Sequence, residues 1–302
     1  MPHTPHTPNP TGAMMIIGGG EDRTDNKDVL ARFVALSGGP ERPLVVLTAA
    51  SRVPEDVWEM YRGALHDLGA RNVRHVPIGD RVDADDAANA DIVAGAGGIF
   101  MTGGDQKRLV AHIGGTAVEQ AMRNAHALRG ACIAGTSAGA SAMCTHMLAE
   151  GKAELAPEKG AVRLGAGLGF VPRVIIDQHF SQRHRINRLL GVVAQNPFLL
   201  GAGIDEDTAL VVHGRAGIAV IGEGTVTVLD CRSARSNIAD LPAGAVPTLV
   251  GVGLHLLPSG TVFTRSPDDG AQHELADLLD FLTVTSGVTS GVRSSIATRC
   301  EP

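Results

Sequence analysis

Short apolar runs alternate with amphipathic stretches along most of the chain. A run of about four to eight Val, Ile and Leu residues that stops at glycine or polar residues predicts a buried strand, whereas apolar positions spaced three and four apart predict a helix. The predicted strands are 14–17, 44–48, 73–78, 98–101 and a fifth that ends at Ser137, and the predicted helices between them are about 26–36, 54–68 and 83–94. This alternation is typical of an α/β fold, in which a mostly parallel sheet has helices on both faces.

The rest of the chain adds strands of two kinds. Apolar runs at 173–180 and 199–204 each close on polar side chains, and a helix is predicted from 183 to about 195. Glycine turns separate the later runs, which predict an antiparallel C-terminal extension at 209–213, 217–221, 225–229, 250–257 and 262–264, followed by a helix at 274–281. Residues 1–13 and 284–302 hold little to bury, so we expect a disordered leader, a single domain over 14–283 and a flexible tail.

Composition narrows the class of protein. With 302 residues, 44% hydrophobic and 19% charged, the chain can bury a full core. The formal net charge of −6 argues against a general affinity for nucleic acid or for an anionic membrane. The four cysteines are widely spaced without a C-x-x-C pair, so neither a disulfide framework nor a metal site is indicated. Since the sequence shows neither a signal peptide nor an apolar run of about 18 residues, we expect a cytoplasmic protein.

The first candidate for chemistry is the turn Gly135-Thr136-Ser137-Ala138-Gly139, which follows an apolar run and precedes small residues. This is the G-x-S-x-G pattern of a nucleophile on a sharp strand-to-helix turn, where the glycines avoid clashes that Cβ atoms would cause. Ser137 is therefore a candidate nucleophile. Small residues here could instead serve only to let a helix pack closely on a sheet. A serine hydroxyl also needs a base and an acid from elsewhere in the chain.

Polar residues end the neighbouring strand too, in the run Thr102-Gly103-Gly104-Asp105-Gln106. Ligands of parallel sheets bind at the carboxyl ends of the strands, so this loop and the serine turn should lie side by side. Gly104 or Gly103 could then give one oxyanion N–H and Ala138 the other, while Gln106 offers an amide. A glycine cap with a helix start is the alternative.

The first strand runs into Gly18-Gly19-Gly20. Their spacing matches neither the dinucleotide-binding nor the Walker pattern, so we expect a tight turn.

Two later runs supply the missing base and acid. Asp177-Gln178-His179-Phe180 closes one apolar run, and Asp205-Glu206-Asp207 closes the next. Three arginines, Arg183, Arg185 and Arg188, follow the histidine at the start of a predicted helix. In an acidic protein such a cluster suggests recognition of carboxylates by bidentate guanidinium groups, although a solvated helix face would have the same composition.

In order and content, these four loops resemble those of the cyanophycinases, serine peptidases of the peptidase E-like group with a class I glutamine-amidotransferase-like fold. The resemblance covers about residues 14–283, and Asp-Gln-His-Phe followed by three arginines is its most specific part. It implies a homodimer that needs no cofactor and acts as an exopeptidase on cyanophycin. This polymer has a poly-aspartate backbone with arginine on each side-chain carboxylate, and the expected products are β-Asp-Arg dipeptides.

The resemblance also implies roles for individual residues. Ser137 corresponds to the nucleophile, His179 to the base and Glu206 to the acid that orients the base. The residues implied to line the substrate site are Gln106, Asp177, Gln178, Arg183, Arg185 and Arg188.

Two other functions are consistent with the same residues. A peptidase E-like aspartyl dipeptidase would use the same chemistry on free α-Asp dipeptides, and the arginine cluster argues against it. A catalytically silent binding protein would keep the fold, but all three catalytic residue types are present. An α/β-hydrolase esterase is disfavoured because its histidine comes last in chain order, whereas His179 precedes Glu206.

Overall fold

The computed structural model of the chain describes residues 11–265 and 273–283, and of residues 273 and 274 it describes the backbone alone. The predicted tail at 284–302 and the first ten residues of the predicted leader lie outside the described residues. Gly12 is buried, and its N–H donates to the His126 carbonyl oxygen at 3.0 Å. The packed chain therefore begins before the predicted boundary at residue 14.

Helices occupy much of the first half of the chain. They are α1 (Asp28–Leu36), α2 (Pro54–Asp67), α3 (Arg81–Asp85), α4 (Ala87–Ala94), α5 (Gln106–Ile113), α6 (Ala117–Arg129), α7 (Ala138–Ala142), α8 (Ile186–Gln195) and α9 (His273–Thr283). A short 3-10 helix spans Ile238–Asp240. None of the helices in the described part of the chain is both long and apolar enough to cross a membrane.

The strands alternate with these helices at first and then follow one another directly. They are β1 (Met14–Ile17), β2 (Leu44–Leu47), β3 (Val73–Val76), β4 (Gly98–Met101), β5 (Cys132–Thr136), β6 (His146–Gly151), β7 (Val162–Ala166), β8 (Val174–Gln178), β9 (Leu200–Ile204), β10 (Thr208–Val212), β11 (Gly217–Gly222), β12 (Thr225–Asp230), β13 (Arg235–Ser236), β14 (Leu249–Val250), β15 (Gly253–Pro258) and β16 (Val262–Thr264).

The main sheet has eight strands in the order β16-β11-β10-β1-β5-β4-β2-β3. Its strands from β1 to β3 in this order are parallel to one another, and the other three continue the sheet as antiparallel strands. Alternate residues enter different cores: Ile16 packs on the side of α4, α5 and α6, and Ile17 on the side of α1 and α2. The predicted mostly parallel α/β fold with an antiparallel C-terminal extension is confirmed.

A second sheet of four strands, in the order β15-β12-β9-β8, stands beside the main one. Strands β8 and β9 are parallel, and β12 and β15 extend them antiparallel. The chain passes from β9 to β10 of the main sheet through Asp205–Asp207, where Asp207 has φ of 46°. This left-handed residue turns the backbone, so strands that look continuous along the sequence belong to separate sheets. The division into two sheets was not part of the prediction.

The two sheets are joined where β1 and β8 end. The N–H of His179 donates to the Gly18 carbonyl oxygen at 2.7 Å, and the N–H of Gly18 donates to the Thr208 carbonyl oxygen at 2.9 Å. A Cβ at Gly18 would lie 2.0 Å from the Asp205 carbonyl oxygen, so only glycine permits this approach. We call this junction the seam between the sheets.

Local departures from the predicted elements have local causes. The predicted helix at 83–94 is two helices, because the Asp86 side chain accepts the N–H groups of Ala88 and Asn89 and starts α4 afresh. The helix predicted from 183 begins at Ile186, since His184 has φ of 51°. Helices α5 and α6 and the β6–β7 hairpin fill segments to which the pattern assigned no element.

Candidate active site

Ser137 sits on a strained turn between β5 and α7, with φ of 53° and ψ of −113°. A non-glycine residue in this region of backbone space carries a cost and is commonly found at functional sites. The flanking glycines make the turn possible. A Cβ at Gly135 would lie 2.5 Å from the Gly139 carbonyl carbon, and a Cβ at Gly139 would lie 2.4 Å from the Met101 carbonyl oxygen. The geometry has the steric basis expected from the G-x-S-x-G pattern.

A line of hydrogen bonds runs from Ser137 across the seam. The Ser137 Oγ lies 2.8 Å from Nε2 of His179, and Nδ1 of the same ring lies 2.5 Å from Oε1 of Glu206. A carboxylate only accepts, so in the neutral ring Nδ1 donates to Glu206 and Nε2 is left to accept the serine proton. The candidate nucleophile, base and orienting acid therefore lie within hydrogen-bond reach of one another in that order.

Each member of the line comes from the end of a strand. Ser137 follows β5 of the main sheet, whereas His179 and Glu206 follow β8 and β9 of the second sheet. The parallel pairing of β8 with β9 brings their carboxyl ends together. Because β5, β8 and β9 all end at the seam, these three residues lie close together although they are far apart in the chain.

The three glycines after β1 make room for the base and the acid. A Cβ at Gly19, whose φ is +97°, would lie 2.4 Å from Cε1 of His179. A Cβ at Gly20, whose φ is +61°, would lie 3.1 Å from Oε2 of Glu206. The tight turn expected at Gly18-Gly19-Gly20 is therefore also a close approach to the catalytic candidates, which the sequence reasoning missed.

The acids on either side of Glu206 have other partners. Asp205 is buried and accepts the N–H groups of Ser181 and Thr225, both at 3.0 Å. Burial raises the pKa of the Asp205 carboxyl, but the hydrogen bonds from Ser181 and Thr225 outweigh it, so the pKa lies below its ordinary value. Asp207 accepts the N–H of Asp22 at 2.9 Å. Of these three consecutive acids, Glu206 is the one that contacts the histidine.

The environment of His179 favours its neutral form. Burial lowers the pKa of the ring below 6.5, and the positive charge of Arg183 adds to the lowering. The hydrogen bond that the ring donates to Glu206 raises the pKa, but it does not overcome the effect of burial. A histidine that stays neutral below its usual pKa can accept a proton over a wider range of pH.

The predicted arginine cluster divides into a buried part and an exposed part. Arg188 donates to both oxygens of the almost fully buried Asp177, through Nε at 2.6 Å and through Nη2, and to the Gly151 carbonyl oxygen at 2.7 Å. Arg185 donates to Oε1 of Gln178 at 2.9 Å and to Asp177 at 3.4 Å. One carboxylate thus faces two guanidinium groups, and the site keeps an excess of positive charge.

Arg185 and Arg183 hold that excess charge near the histidine. Burial lowers the pKa of Arg185 to about 10, with Asp177 opposing it and the other two arginines reinforcing it, so this side chain stays protonated at neutral pH. Arg183 is exposed, and its backbone N–H donates to the His179 carbonyl oxygen at 3.1 Å. Within residues 11–265 and 273–283, the Arg183 side chain forms no ion pair.

The loop after β4 lies against the nucleophile. A Cβ at Gly103 would lie 3.3 Å from Cβ of Ser137, and a Cβ at Gly104, whose φ is +144°, would lie 2.2 Å from the Ala50 carbonyl oxygen. In the part of the chain described, the N–H groups of Gly103, Gly104 and Ala138 have no hydrogen-bond acceptor. Donors without an acceptor beside Ser137 can receive a developing oxyanion.

Gln106 is placed at the start of α5 and turned toward the β6–β7 hairpin. Its Nε2 donates to the carbonyl oxygens of Ala149 at 2.9 Å and Leu148 at 3.2 Å. The predicted substrate-site amide therefore has one end engaged within the protein.

A cavity of about 210 Å³ opens beside Ser137 and His179, and most of its other lining residues were not among the predicted site residues. The lining also includes Gly20, Glu21, Arg23, Val57, Met60, Tyr61, Gly103 and Thr136. The carboxylate of Glu21, which is 1% exposed, accepts the Thr136 hydroxyl at 2.6 Å and the Tyr61 hydroxyl. Glu21 stands beyond the carboxyl end of a parallel strand, so the strand-end rule applied to β1 would have found it.

Comparisons with known proteins identify the family of the chain. The model of "Peptidase family S51" matches residues 14–220. A relative described as a cyanophycinase, from Geminocystis herdmanii (strain PCC 6308), is 35% identical over 254 residues, which are 84% of this chain and 93% of that protein. A second, from Synechococcus elongatus, is 34% identical over 253 residues, which are 83% of this chain and 79% of that protein.

Solved structures share the fold. The crystal structure of a peptidase from an acI-B1 Actinobacterium has a TM-score of 0.63 at 22% identity and covers 85% of this chain and 98% of its own. A putative peptidase E protein from Listeria monocytogenes EGD-e has a TM-score of 0.50 at 14% identity, with 70% of this chain and 98% of its own covered. The chain therefore shares its overall fold with these two proteins.

Proposed function

This chain belongs to peptidase family S51, and on that basis we propose that it is a serine peptidase that hydrolyses cyanophycin to β-Asp-Arg dipeptides. The observation that carries the proposal is the hydrogen-bonded line from Ser137 through His179 to Glu206. The relatives described as cyanophycinases support the choice of substrate over most of the chain.

In the proposed reaction, Nε2 of His179 takes the proton of Ser137 as Oγ attacks an aspartyl carbonyl carbon of the polymer backbone. The imidazolium then gives that proton to the leaving amine, and the peptide bond breaks to leave an acyl-enzyme. Water, deprotonated by the same nitrogen, releases the acyl group and restores the serine. Glu206 stabilises the imidazolium and holds the ring in the tautomer that can accept a proton.

The oxyanion of each tetrahedral intermediate would be stabilised by backbone N–H groups next to Ser137. We assign one donor to Ala138 and the other to Gly104 or its neighbour Gly103, which together bracket the nucleophile. Removing one such donor in serine peptidases costs about 10²–10³ in rate.

We assign substrate recognition to the arginines whose positive charge is not fully neutralised by a carboxylate of the protein. Arg183 and Arg185 would hold a free carboxylate of the polymer, with Gln178 beside them, because charge-assisted bidentate contacts are the strong ones. Asp177 and Arg188 would brace Arg185 through their buried pair, and Gln106 would fix the β6–β7 hairpin at the edge of the site.

We also propose, from the resemblance in the sequence, that the protein acts in the cytoplasm as a homodimer. Sedimentation equilibrium on the full chain tests the assembly: a mass of two chains supports it, and a mass of one chain refutes it.

The function is tested with the purified protein and insoluble cyanophycin. Soluble products of the mass of β-Asp-Arg are expected, whereas α-Asp dipeptides offered under the same conditions should be cleaved far more slowly. Cleavage of the dipeptides without release from the polymer would favour the aspartyl dipeptidase instead.

A further inference from the structure

The cavity beside Ser137 is lined by a positively charged side chain that the sequence analysis did not select. Arg23 lines it together with Met60 and Val57 of α2, and none of the predicted arginines is among its lining residues. The Arg23 guanidinium lies 5.6 Å from the centre of the Tyr61 ring, and its Nη1 is 3.4 Å from the Tyr61 hydroxyl. This part of the active site is therefore separate from the wall that carries Arg183 and Arg185.

A chain of hydrogen bonds fixes the cavity wall relative to the nucleophile. The Tyr61 hydroxyl, on which Arg23 rests, donates to Glu21, and Glu21 accepts in turn from Thr136, the residue before Ser137. Burial and the Glu21 carboxylate raise the pKa of Tyr61 well above its usual value, so this hydroxyl keeps its proton and remains a donor. Both oxygens of Glu21 are occupied by these hydroxyl groups.

Arg23 keeps donors available for a ligand. A guanidinium has five N–H groups, and among the described residues Arg23 donates to the Tyr61 hydroxyl alone. The neighbouring Asp22 directs its carboxylate to the backbone N–H groups of Thr24, Asp25 and Asn26. None of the ion pairs within residues 11–265 and 273–283 includes Arg23.

The chemistry of the proposed substrate calls for two anion sites. In a β-Asp-Arg unit, arginine is joined through its α-amino group, so its own carboxylate stays free. A bond between two such units therefore has one carboxylate on its acyl side and one on its leaving side. Arg183 and Arg185 can hold one of them, and the cavity presents a second unpaired arginine with Met60 and Val57 for the aliphatic stem.

We infer that Arg23 binds the free arginine carboxylate of one of the two units that flank the scissile bond, and that Arg183 binds that of the other. This inference rests on the proposed function and adds a second substrate-recognition site to it. Glu21 and Tyr61 act as positioning residues for Arg23, since they contact it or its support and hold the cavity wall to Thr136.

The test uses three synthetic oligomers of β-Asp-Arg: one with all carboxylates free, one with the arginine on the acyl side as its carboxamide, and one with the arginine on the leaving side as its carboxamide. For the wild type, each carboxamide should lower kcat/KM by about 10- to 150-fold, the equivalent of losing one charge-assisted hydrogen bond. Arg23→Gln should abolish the penalty for one carboxamide and keep it for the other, and Arg183→Gln should show the reverse. Arg23→Lys, which keeps the charge, should retain part of the penalty.

Arg62→Gln is the matched control, because Arg62 is an exposed arginine next to Tyr61 that pairs with Glu59 and does not line the cavity. This substitution should leave kcat/KM unchanged for all three oligomers. Equal losses in Arg23→Gln on all three oligomers, or unchanged penalties, would overturn the assignment of Arg23. A wild type that cleaves none of the oligomers would overturn the proposed function, and the role of Arg23 with it.

Discussion

The two sheets contribute to the active site in different ways. The main sheet supplies Ser137 from a buried apolar strand, and the position of this residue is decided by backbone sterics between glycines. The second sheet supplies the histidine, Glu206 and the two buried arginines, Arg185 and Arg188, which are held by ion pairs and hydrogen bonds. The proposed nucleophile is thus positioned by packing, whereas the proposed base, its acid and the buried arginines are positioned by hydrogen bonds and ion pairs. Substitutions in the main sheet and in the second sheet should therefore have different effects on activity and stability.

The largest effect is expected on the main-sheet side. Ser137→Ala should lower kcat on cyanophycin by about 10⁶, the typical loss for a triad nucleophile, while the thermal midpoint stays close to that of the wild type. Rates and thermal melts of the two proteins, purified in parallel from a strain without cyanophycin-degrading activity, make the comparison. Turnover at the wild-type rate would exclude Ser137 as the nucleophile.

On the second-sheet side, the acid should matter less than the nucleophile. Glu206→Gln should lower kcat by about 10⁴, because it removes the negative charge that stabilises the imidazolium without removing the attacking oxygen. Asp207→Asn is the matched control, since its carboxylate accepts from Asp22 and does not contact His179. A crippled Asp207→Asn beside a nearly active Glu206→Gln would reverse the assignment.

The buried ion pairs of Asp177 in the second sheet should contribute to the stability of the protein. Asp177→Asn leaves two buried guanidinium groups without their carboxylate, which should lower the free energy of unfolding by about 3–5 kcal/mol. Urea denaturation measures this change. Glu150→Gln breaks the exposed pairs with Lys107 and Arg163 and should alter the midpoint little. Similar urea midpoints for both variants would show that the ion pairs of Asp177 do not stabilise this part of the site.

The main effect of the exposed arginine should be on substrate recognition. Arg183→Ala should lower kcat/KM for cyanophycin by about 10- to 150-fold, the equivalent of about 1.5–3 kcal/mol, chiefly through KM, and should affect a small uncharged ester much less. Arg129→Ala is the control, because this exposed arginine precedes β5 at the end of the strand away from Ser137. Equal losses on polymer and ester would instead mean that Arg183 supports the structure of the site.

The smallest effect is a shift of the pH profile. His179 must be neutral to act as a base, and burial holds its pKa below 6.5, so the acidic limb of kcat/KM should fall below that pH. Arg183→Ala removes a charge that lowers this pKa, so the limb should move to higher pH, with Arg129→Ala as control. A limb that moves to lower pH, or does not move, would contradict this electrostatic account of His179.

Features with local causes could be predicted from the sequence, and features with distant partners could not. The turn at Ser137 follows from the residues around it, and the mostly parallel sheet follows from the alternation of apolar runs with amphipathic stretches. For the glycines after β1 the sequence predicts a turn and nothing more. The residues that they accommodate, His179 and Glu206, are distant in sequence and follow strands of the other sheet.

The arginine cluster shows the same limit. Spacing along a helix identifies Arg183, Arg185 and Arg188 as neighbours, but it does not reveal that Asp177 binds Arg188 in the interior. Nor does it reveal Arg23, whose place in the cavity depends on a contact with Tyr61 of α2, 38 residues further along the chain.

The central claim is that a nucleophile from one sheet is activated by a base from the other. It is tested most directly by the rate at which a fluorophosphonate labels the protein, with the modified residue found by peptide mapping. We expect one label per chain, on Ser137, and labelling slowed by several orders of magnitude in His179→Ala, whose melting temperature is checked in parallel. A label on another residue, or equally fast labelling of Ser137 without His179, would contradict the account.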